Sequence, residues 1–323
     1  MRLLKKFKFS KKIRQQLVVL LLISFCLLNI LAYMGAYKLT HFATSGSSGC
    51  GLPQPSSAKV PTTLGLEYVT QCIRVSQTEW LEAWSIPVPP STTAKGTIIL
   101  FPGNGGSKAK QLLAPARVFH SWGYDTLLVD FRGVGGSSGN TTTLGIREAE
   151  DVALSVEHLG KTHLQRPLIL YGVSMGTAAI LKAVADKNVH PDGIILELPF
   201  ARLVDALRSR FRAVFIPTFP LAELTVFWGG IQHGFDGFAH NPVEDAKLVE
   251  CPTLILHGKL DKWTTGAEIE QIFNNLRGAK QLSIFPDAGH ALLVTVDLHR
   301  WTQDLKKFLK IVERSTSQFS ALI

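Results

Sequence analysis

The chain reads as an α/β domain with a mostly parallel, doubly wound sheet, set behind a single apolar N-terminal helix. Three observations carry this reading. From residue 97 onward, short apolar runs alternate with helical patterns, the rhythm of βαβ units. One run ends in Gly-Val-Ser-Met-Gly at 172–176, a serine between two glycines where a strand hands over to a helix. Residues 17–37 contain no charged side chain and follow directly on a basic block.

The N-terminus comes first. Residues 1–16 hold Arg2, Lys5, Lys6, Lys8, Lys11, Lys12 and Arg14 and no acid. The 21 residues that follow, LVVLLLISFCLLNILAYMGAY, match the roughly 20 needed to cross a bilayer core as a helix. A buried soluble helix would show a polar face, and this stretch has only Ser24, Asn29 and scattered small residues. A cleaved signal peptide is the rival, but its apolar region usually runs about 7–15 residues to a small-residue site, and MGAY at 34–37 is a weak one. The expected layout is therefore a basic cytoplasmic tail (1–16), an uncleaved signal anchor (17–37) and a domain across the membrane, by the positive-inside rule. Cys50 lies too far beyond the apolar run for a lipoprotein signal.

The anchor also explains the charge. The net charge is +9, but removing the seven basic residues of the tail from 34 leaves 27 against 25 acidic ones. The globular part is near neutral, so the basic balance is no signal for nucleic acid. Of four cysteines, Cys26 lies in the span, and Cys50, Cys72 and Cys251 would face a compartment where disulfides persist. Cys50 and Cys72 can pair, leaving Cys251 free at a strand start. No Cys/His spacing suggests a metal, and no cofactor is expected.

Residues 38–63 are dense in Ser, Thr, Gly and Pro and read as a flexible linker that lifts the domain off the bilayer. The domain is expected over 64–314, with a C-terminal tail at 315–323. Residues 66–75 and 79–88 alternate like two antiparallel strands. Buried strands follow at 97–101 and 125–130, with a helix at 112–122 between them. A helix is expected over 143–159, capped by Thr141 or Thr142. The strand at 168–171 leads through the serine turn into a helix at 175–185. Further strands lie at 193–197, 253–256 and 281–285, with a helix containing 269–276 and a last one over 292–312.

One interval, 200–245, breaks the alternation. It is rich in aromatics, among them Phe211, Phe215, Phe219, Phe227, Trp228, Phe235 and Phe238, and Pro217, Pro220 and Gly229-Gly230 cut it into short pieces. An insertion between the sixth and seventh strands overhangs the strand C-termini, where open α/β sheets bind ligands. It reads as a helical cap forming an apolar acyl or aromatic pocket.

The chemistry starts from Ser174. A serine hydroxyl needs an adjacent base, and the base needs an orienting acid. Two later loops begin at strand ends on the same sheet edge: LILHGKLD ending at Asp261, and PDAGHA containing His290. His290 would take the serine proton, and Asp261 would hold its tautomer. Asp287 competes as the acid but is only three residues from His290. His257 competes as the base but belongs to a strand end. The oxyanion donors would be the backbone N–H of Met175, directly after the nucleophile, and that of Asn104 in FPGNGGS, with Gly105 as the alternative. The glycine-rich stretch DFRGVGGSSG lacks the spacing of a phosphate loop. Asp130 and Arg132 are read as organising it structurally.

Taken together and in order, FPGNGG, DFRGVGGSSG, GVSMG, LILHGKLD and PDAGHA resemble the serine α/β-hydrolase superfamily over about residues 64–314. The closest likeness is to its membrane-anchored branch, whose members are often described as peptidases or acyl hydrolases. The resemblance implies the α/β-hydrolase fold, Ser174, Asp261 and His290 as the triad, and Asn104 and Met175 at the oxyanion hole. The family pattern D-x-x-V-P after the acid is replaced here by Asp-Lys-Trp-Thr-Thr. The expected function is hydrolysis of carboxylic esters or thioesters, lipid acyl groups included. A peptidase or amidase of the same fold is the alternative, and a non-catalytic membrane-tethered binding protein a more distant one. The expected partners are a small-molecule or lipid acyl substrate and the membrane.

Overall fold

The computed structural model describes residues 10–43, 49–52, 59–162 and 164–320. After the long helix α1 (Lys11–Thr40) come β1 (Val69–Arg74), β2 (Trp80–Ile86), β3 (Thr97–Phe101), α2 (Leu113–Ser121) and β4 (Asp125–Val129). The middle of the chain forms α3 (Glu148–Thr162), β5 (Leu168–Val173), α4 (Met175–Asp186) and β6 (Gly193–Glu197). The insertion contributes α5 (Leu203–Ala213), α6 (Leu221–His233) and α7 (Pro242–Asp245). The chain closes with β7 (Thr253–Gly258), α8 (Gly266–Asn275), β8 (Lys280–Phe285), α9 (Leu293–Val296) and α10 (Leu298–Ser320).

The strands form one eight-stranded sheet in the order β1-β2-β4-β3-β5-β6-β7-β8. The pairs β1/β2 and β2/β4 are antiparallel, and the rest are parallel. Every residue of β3, β5, β6 and β7 is buried, as parallel strands covered on both faces require. Successive side chains go to opposite faces. Ile99, Phe101, Leu170 and Leu196 pack toward α3, α4 and α8. Ile98, Leu100, Ile169 and Tyr171 pack toward Phe119 of α2 and Trp301 and Phe308 of α10. This is the α/β-hydrolase fold.

The loop after β4 is pinned by buried charges, in the structural role expected of Asp130 and Arg132. Lys108 lies between Glu82 and Asp130, with all three almost fully buried. Arg132 meets Asp151 through Nε at 2.7 Å and backbone N–H at 3.1 Å.

Several boundaries differ from expectation. The helix expected from 143 begins only at Glu148. The Glu148 carboxylate turns back to accept from Thr142 Oγ1, Thr143 N and Oγ1, and Gly145 N, so 142–147 forms a buried loop instead of a first turn. The last helix is broken at Asp297, whose carboxylate accepts the Arg300 N–H at 2.9 Å and starts α10 afresh. The tail expected from 315 continues α10 to Ser320, and 321–323 lie outside the described residues. At the other end, residues 1–9 of the basic tail lie outside the described residues, and α1 overruns both limits set for the anchor.

The expected linker is tied down where it is described. His41 forms a β-bridge with Thr141, the Phe42 N–H donates to Asn140 O at 2.8 Å, and Thr142 N–H donates to Thr40 O at 2.9 Å. Cys50 is disulfide-bonded to Cys72 of β1, with Cα atoms 6.0 Å apart. The helix therefore ends on the domain itself rather than at the start of a free tether. Residues 44–48 and 53–58 of the linker lie outside the described residues.

The insertion is held by His240. Its imidazole is fully buried, donates Nε2–H to Leu144 O at 3.1 Å and packs on Phe200. Burial holds its pKa down at about 4. An unfolded chain binds that proton below about 6.5 while the fold refuses it until about pH 4, so stability must fall as pH drops through this window. Thermal melts are expected to show this loss, of order 3 kcal/mol from this group, and His240→Gln should flatten the pH dependence between about 6.5 and 4.

Candidate active site

The site is built on the turn between β5 and α4. Ser174 holds φ 49° and ψ −109°, a backbone that non-glycine residues adopt at a cost of about 1–3 kcal/mol. The flanking glycines permit the turn through close approach. A Cβ on Gly172 would stand 2.7 Å from the Gly176 backbone, and one on Gly176 would stand 2.7 Å from Phe101 O. The Ser174 N–H donates to Glu197 O of the neighbouring strand at 2.8 Å. The side chain is thereby lifted to the C-terminal edge of the sheet.

The two loops after β7 and β8 bring their residues to the same point. His290 Nε2 lies 3.0 Å from Ser174 Oγ, and His290 Nδ1 lies 2.7 Å from Asp261 Oδ2. With the proton on Nδ1, the imidazole donates to Asp261 and offers Nε2 to the serine hydroxyl. Burial would raise the Asp261 carboxyl. Hydrogen bonds from His290 and from the Trp263 and Thr264 N–H groups outweigh it and hold the carboxyl below its ordinary value. Those two backbone donors reach Asp261 Oδ1 at 2.7 and 3.2 Å. The departure from D-x-x-V-P thus leaves the acid held by its own turn. Asp287 is exposed, and His257 is buried at the end of β7.

Asn104 and Gly103 line the cavity next to Ser174, and Met175 is the first residue of α4. The first N–H groups of a helix have no acceptor within it, so the Met175 amide is of the kind that receives an oxyanion. The Gly103 N–H donates to Gln111 Oε1 at 2.7 Å, which fixes the loop carrying Asn104. Among the described residues, no three His, Cys, Asp or Glu side chains are grouped to hold a metal ion.

The cavity measures about 320 Å³ and is lined further by Val173, Leu198, Arg210, Trp263, Ala291 and Leu292. Trp263 packs against His290 with ring centroids 4.5 Å apart, and the Arg210 guanidinium lies 4.9 Å above Trp263. Burial pushes the Arg210 guanidinium below its ordinary value, against the pull of Asp261. Among the described residues, no aromatic of the insertion lines this cavity. Of the insertion's residues only Arg210 lines this cavity, because Phe215 and Phe219 point outward and α6 packs on α1 instead.

Glu197 was not foreseen. Its carboxylate is fully buried under the site, where Oε2 accepts from Tyr171 Oη at 2.7 Å and Trp301 Nε1 at 3.0 Å. Oε1 accepts the Leu293 N–H at 2.8 Å. Burial raises its pKa, opposed by these three donors. The signal was present: an acid closing the otherwise apolar run of β6. Arg210 left no comparable signal, since nothing in the insertion's pattern says which residue turns inward.

A family model described as serine aminopeptidase, S33, matches residues 92–227, from before β3 into α6. The protein YqkD of Bacillus subtilis is 30% identical over 202 residues, covering 62% of this chain and 66% of that one. The lysophosphatidylserine lipase ABHD12 of Xenopus tropicalis is 25% identical over 184 residues, covering 53% of this chain and 44% of that one. The chain thus spans less than two thirds of these relatives' own lengths. Among solved structures, the Pyrococcus furiosus esterase Pf2001 superposes with a TM-score of 0.65 at 20% identity, covering 83% of this chain and 98% of that one. The chain has the α/β-hydrolase fold, and over these stretches it is similar to α/β-hydrolases. It joins this domain to an N-terminal helix long and apolar enough to cross a membrane.

Replacing Glu197 tests its part in the site. Glu197→Gln keeps one acceptor oxygen but turns an amide N–H₂ toward a donor, so it should cost about 1–3 kcal/mol in urea unfolding. Glu197→Leu should cost more and lower kcat, since the segments carrying Ser174 and Leu293 both hang on this residue.

Proposed function

We propose that the protein is a membrane-anchored serine hydrolase that cleaves acyl esters through Ser174, His290 and Asp261. The observation that carries this reading is the continuous chain from Ser174 Oγ through His290 to Asp261, at 3.0 and 2.7 Å, inside a cavity. Ser174 Oγ attacks the acyl carbon while His290 Nε2 takes its proton and Asp261 stabilises the imidazolium. The tetrahedral oxyanion rests on the Met175 and Asn104 N–H groups. Collapse expels the alcohol, which leaves with the proton from His290. Water then attacks the acyl-enzyme, giving its proton to His290, which returns one to Ser174 as the acid departs.

Arg210 supports an anionic ester as substrate. It lines the cavity and meets the Ala206 carbonyl and the Trp263 ring, and among the described residues it forms no carboxylate ion pair. A guanidinium so placed suits a phosphate or carboxylate. The name of the frog relative, a lysophosphatidylserine lipase, is consistent with a single-chain anionic lipid. The family model's description favours an aminopeptidase instead, but a peptide's free amino terminus wants a carboxylate, and the cavity lining adds none to Asp261.

The test is a panel of neutral acyl esters, anionic lysophospholipids and dipeptide amides. Wild type should label with a fluorophosphonate probe and hydrolyse esters over amides. Ser174→Ala should fold and lose both labelling and turnover by at least about 10³-fold. Arg210→Gln should raise KM for the anionic esters while sparing neutral ones. A well-folded wild type that resists labelling, or a Ser174→Ala variant with undiminished turnover, overturns the assignment.

We also propose that the N-terminus is cytoplasmic and the catalytic domain lies across the membrane. The basic block before the apolar run supports this orientation, and the Cys50–Cys72 disulfide suits an oxidising compartment. A reporter fused after residue 323 should be active only outside the cytoplasm, and cytoplasmic activity would reverse the topology.

A further inference from the structure

The anchor helix and the insertion are packed together at a depth that has a physical consequence. On α1 the buried residues are Ala32, Ala36 and Thr40, a small-residue stripe at every fourth position. Against this side stands α6. Trp228 Nε1 donates to Asn29 Oδ1 at 3.1 Å, and Gln232 Nε2 donates to Tyr33 O at 3.0 Å. Tyr33 and Trp228 also meet edge to face at 5.6 Å. Asn29 and Tyr33 lie inside the charge-free run 17–37 that sets the span. A helix bonded to those two residues cannot stand wholly above the bilayer. It must reach the depth of the last turns of the span.

The outer side of the same unit is apolar. On α6, Phe227 is 48% exposed and Ile231 61%. The loop joining α5 to α6 exposes Val214, Phe215 and Phe219 at 62, 96 and 76%. From Val214 to Ala222 the chain carries no charge. Exposing so large an apolar group to water is costly. The loop also begins one turn after Arg210, which lines the cavity containing Ser174.

We propose that α6 and the loop at 214–220 are embedded in the membrane that α1 spans, and that the bilayer is what covers this apolar face. The cavity then takes its acyl ester from the lipid leaflet rather than from water. The delivery of substrate rests on the serine-hydrolase reading; the position of the loop does not. Asn29 fits the same picture. A side-chain amide in hydrocarbon must find partners, and this one donates to Phe25 O at 2.9 Å and accepts from Trp228 of the embedded helix.

The experiment uses the full chain in phosphatidylcholine vesicles, with the Cys50–Cys72 bond kept. Environment-sensitive probes are attached one at a time: at Cys26 with Cys251→Ser, and at F215C or E157C with both Cys26→Ser and Cys251→Ser. Probes at 26 and 215 should be quenched by nitroxide-labelled lipid, and the one at 157, on exposed α3 surface, by aqueous iodide. Iodide quenching at 215 equal to that at 157 overturns the proposal. So does a probe at 215 shielded from both quenchers in a chain that cross-links to a second copy, since the face would then be a dimer contact. A water-exposed probe at 26 removes the span and the proposal with it.

A second arm reads substrate delivery. The paired substitution Phe215→Asp and Phe219→Asp lies outside the catalytic cavity. It should leave fluorophosphonate labelling and turnover of a soluble short-chain ester unchanged. Turnover of a long-chain ester held in vesicles should fall at least about tenfold, the equivalent of one buried phenyl ring. Equal loss on both esters would mean a damaged fold. The depth measurement at 215 would then stand as the deciding result. Unchanged turnover of the vesicle ester overturns leaflet delivery while leaving the serine chemistry intact.

Discussion

The left-handed backbone of Ser174 is the constraint on which the site depends. A serine at φ 49° is unfavourable in isolation and persists only where its surroundings leave no alternative. Here the surroundings are backbone. A Cβ at Gly172 would collide with the Gly176 backbone, and one at Gly176 with the Phe101 carbonyl of β3. Any side chain at either glycine would push the turn apart. The adjacent pairing of β3, β5 and β6 supplies the rigidity, and the Ser174 N–H bonded to Glu197 O fastens the turn to the sheet.

Glu197 extends that constraint to the rest of the site. A buried carboxylate is tolerated when its lone pairs are met. Here Tyr171, Trp301 and the Leu293 amide meet them, and those donors come from β5, α10 and the turn just after His290. One acid below the sheet edge therefore registers the serine strand, the histidine loop and the last helix together. Above it, Asp261 is oriented by two backbone donors of its own turn, leaving one oxygen for His290. The short contacts from Ser174 through His290 to Asp261 are the product of these two anchoring points.

The relation between helix and domain is a second organising contact. The end of α1 is not a free tether: it is joined to the loop 140–142 by backbone hydrogen bonds and to α6 by side-chain packing. The insertion is thus shared between the cavity, through Arg210 of α5, and the helix α1, through Trp228 of α6.

Much of this was legible in residues alone. Continuous apolar runs located the buried parallel strands, because burial on both faces leaves a continuous signature, and alternation located the two antiparallel strands β1 and β2. Ser174, Asp261 and His290 were readable because each follows a recognisable strand, and strand ends of a parallel sheet share one edge. The long apolar helix was readable because its residues run without charge over a length that matches a bilayer core. Other features had no such local mark. Glu148 delays the start of α3 through bonds to Thr142 and Thr143 that no propensity encodes. Arg210 faces the cavity while Phe215 and Phe219 are exposed, and α6 packs on α1 through residues about 200 positions apart. Sequence by itself determined the elements, the edge at which they converge and the residue types gathered there. Tertiary structure alone decided which way the insertion faces, since that depends on packing between segments whose own patterns carry no record of one another.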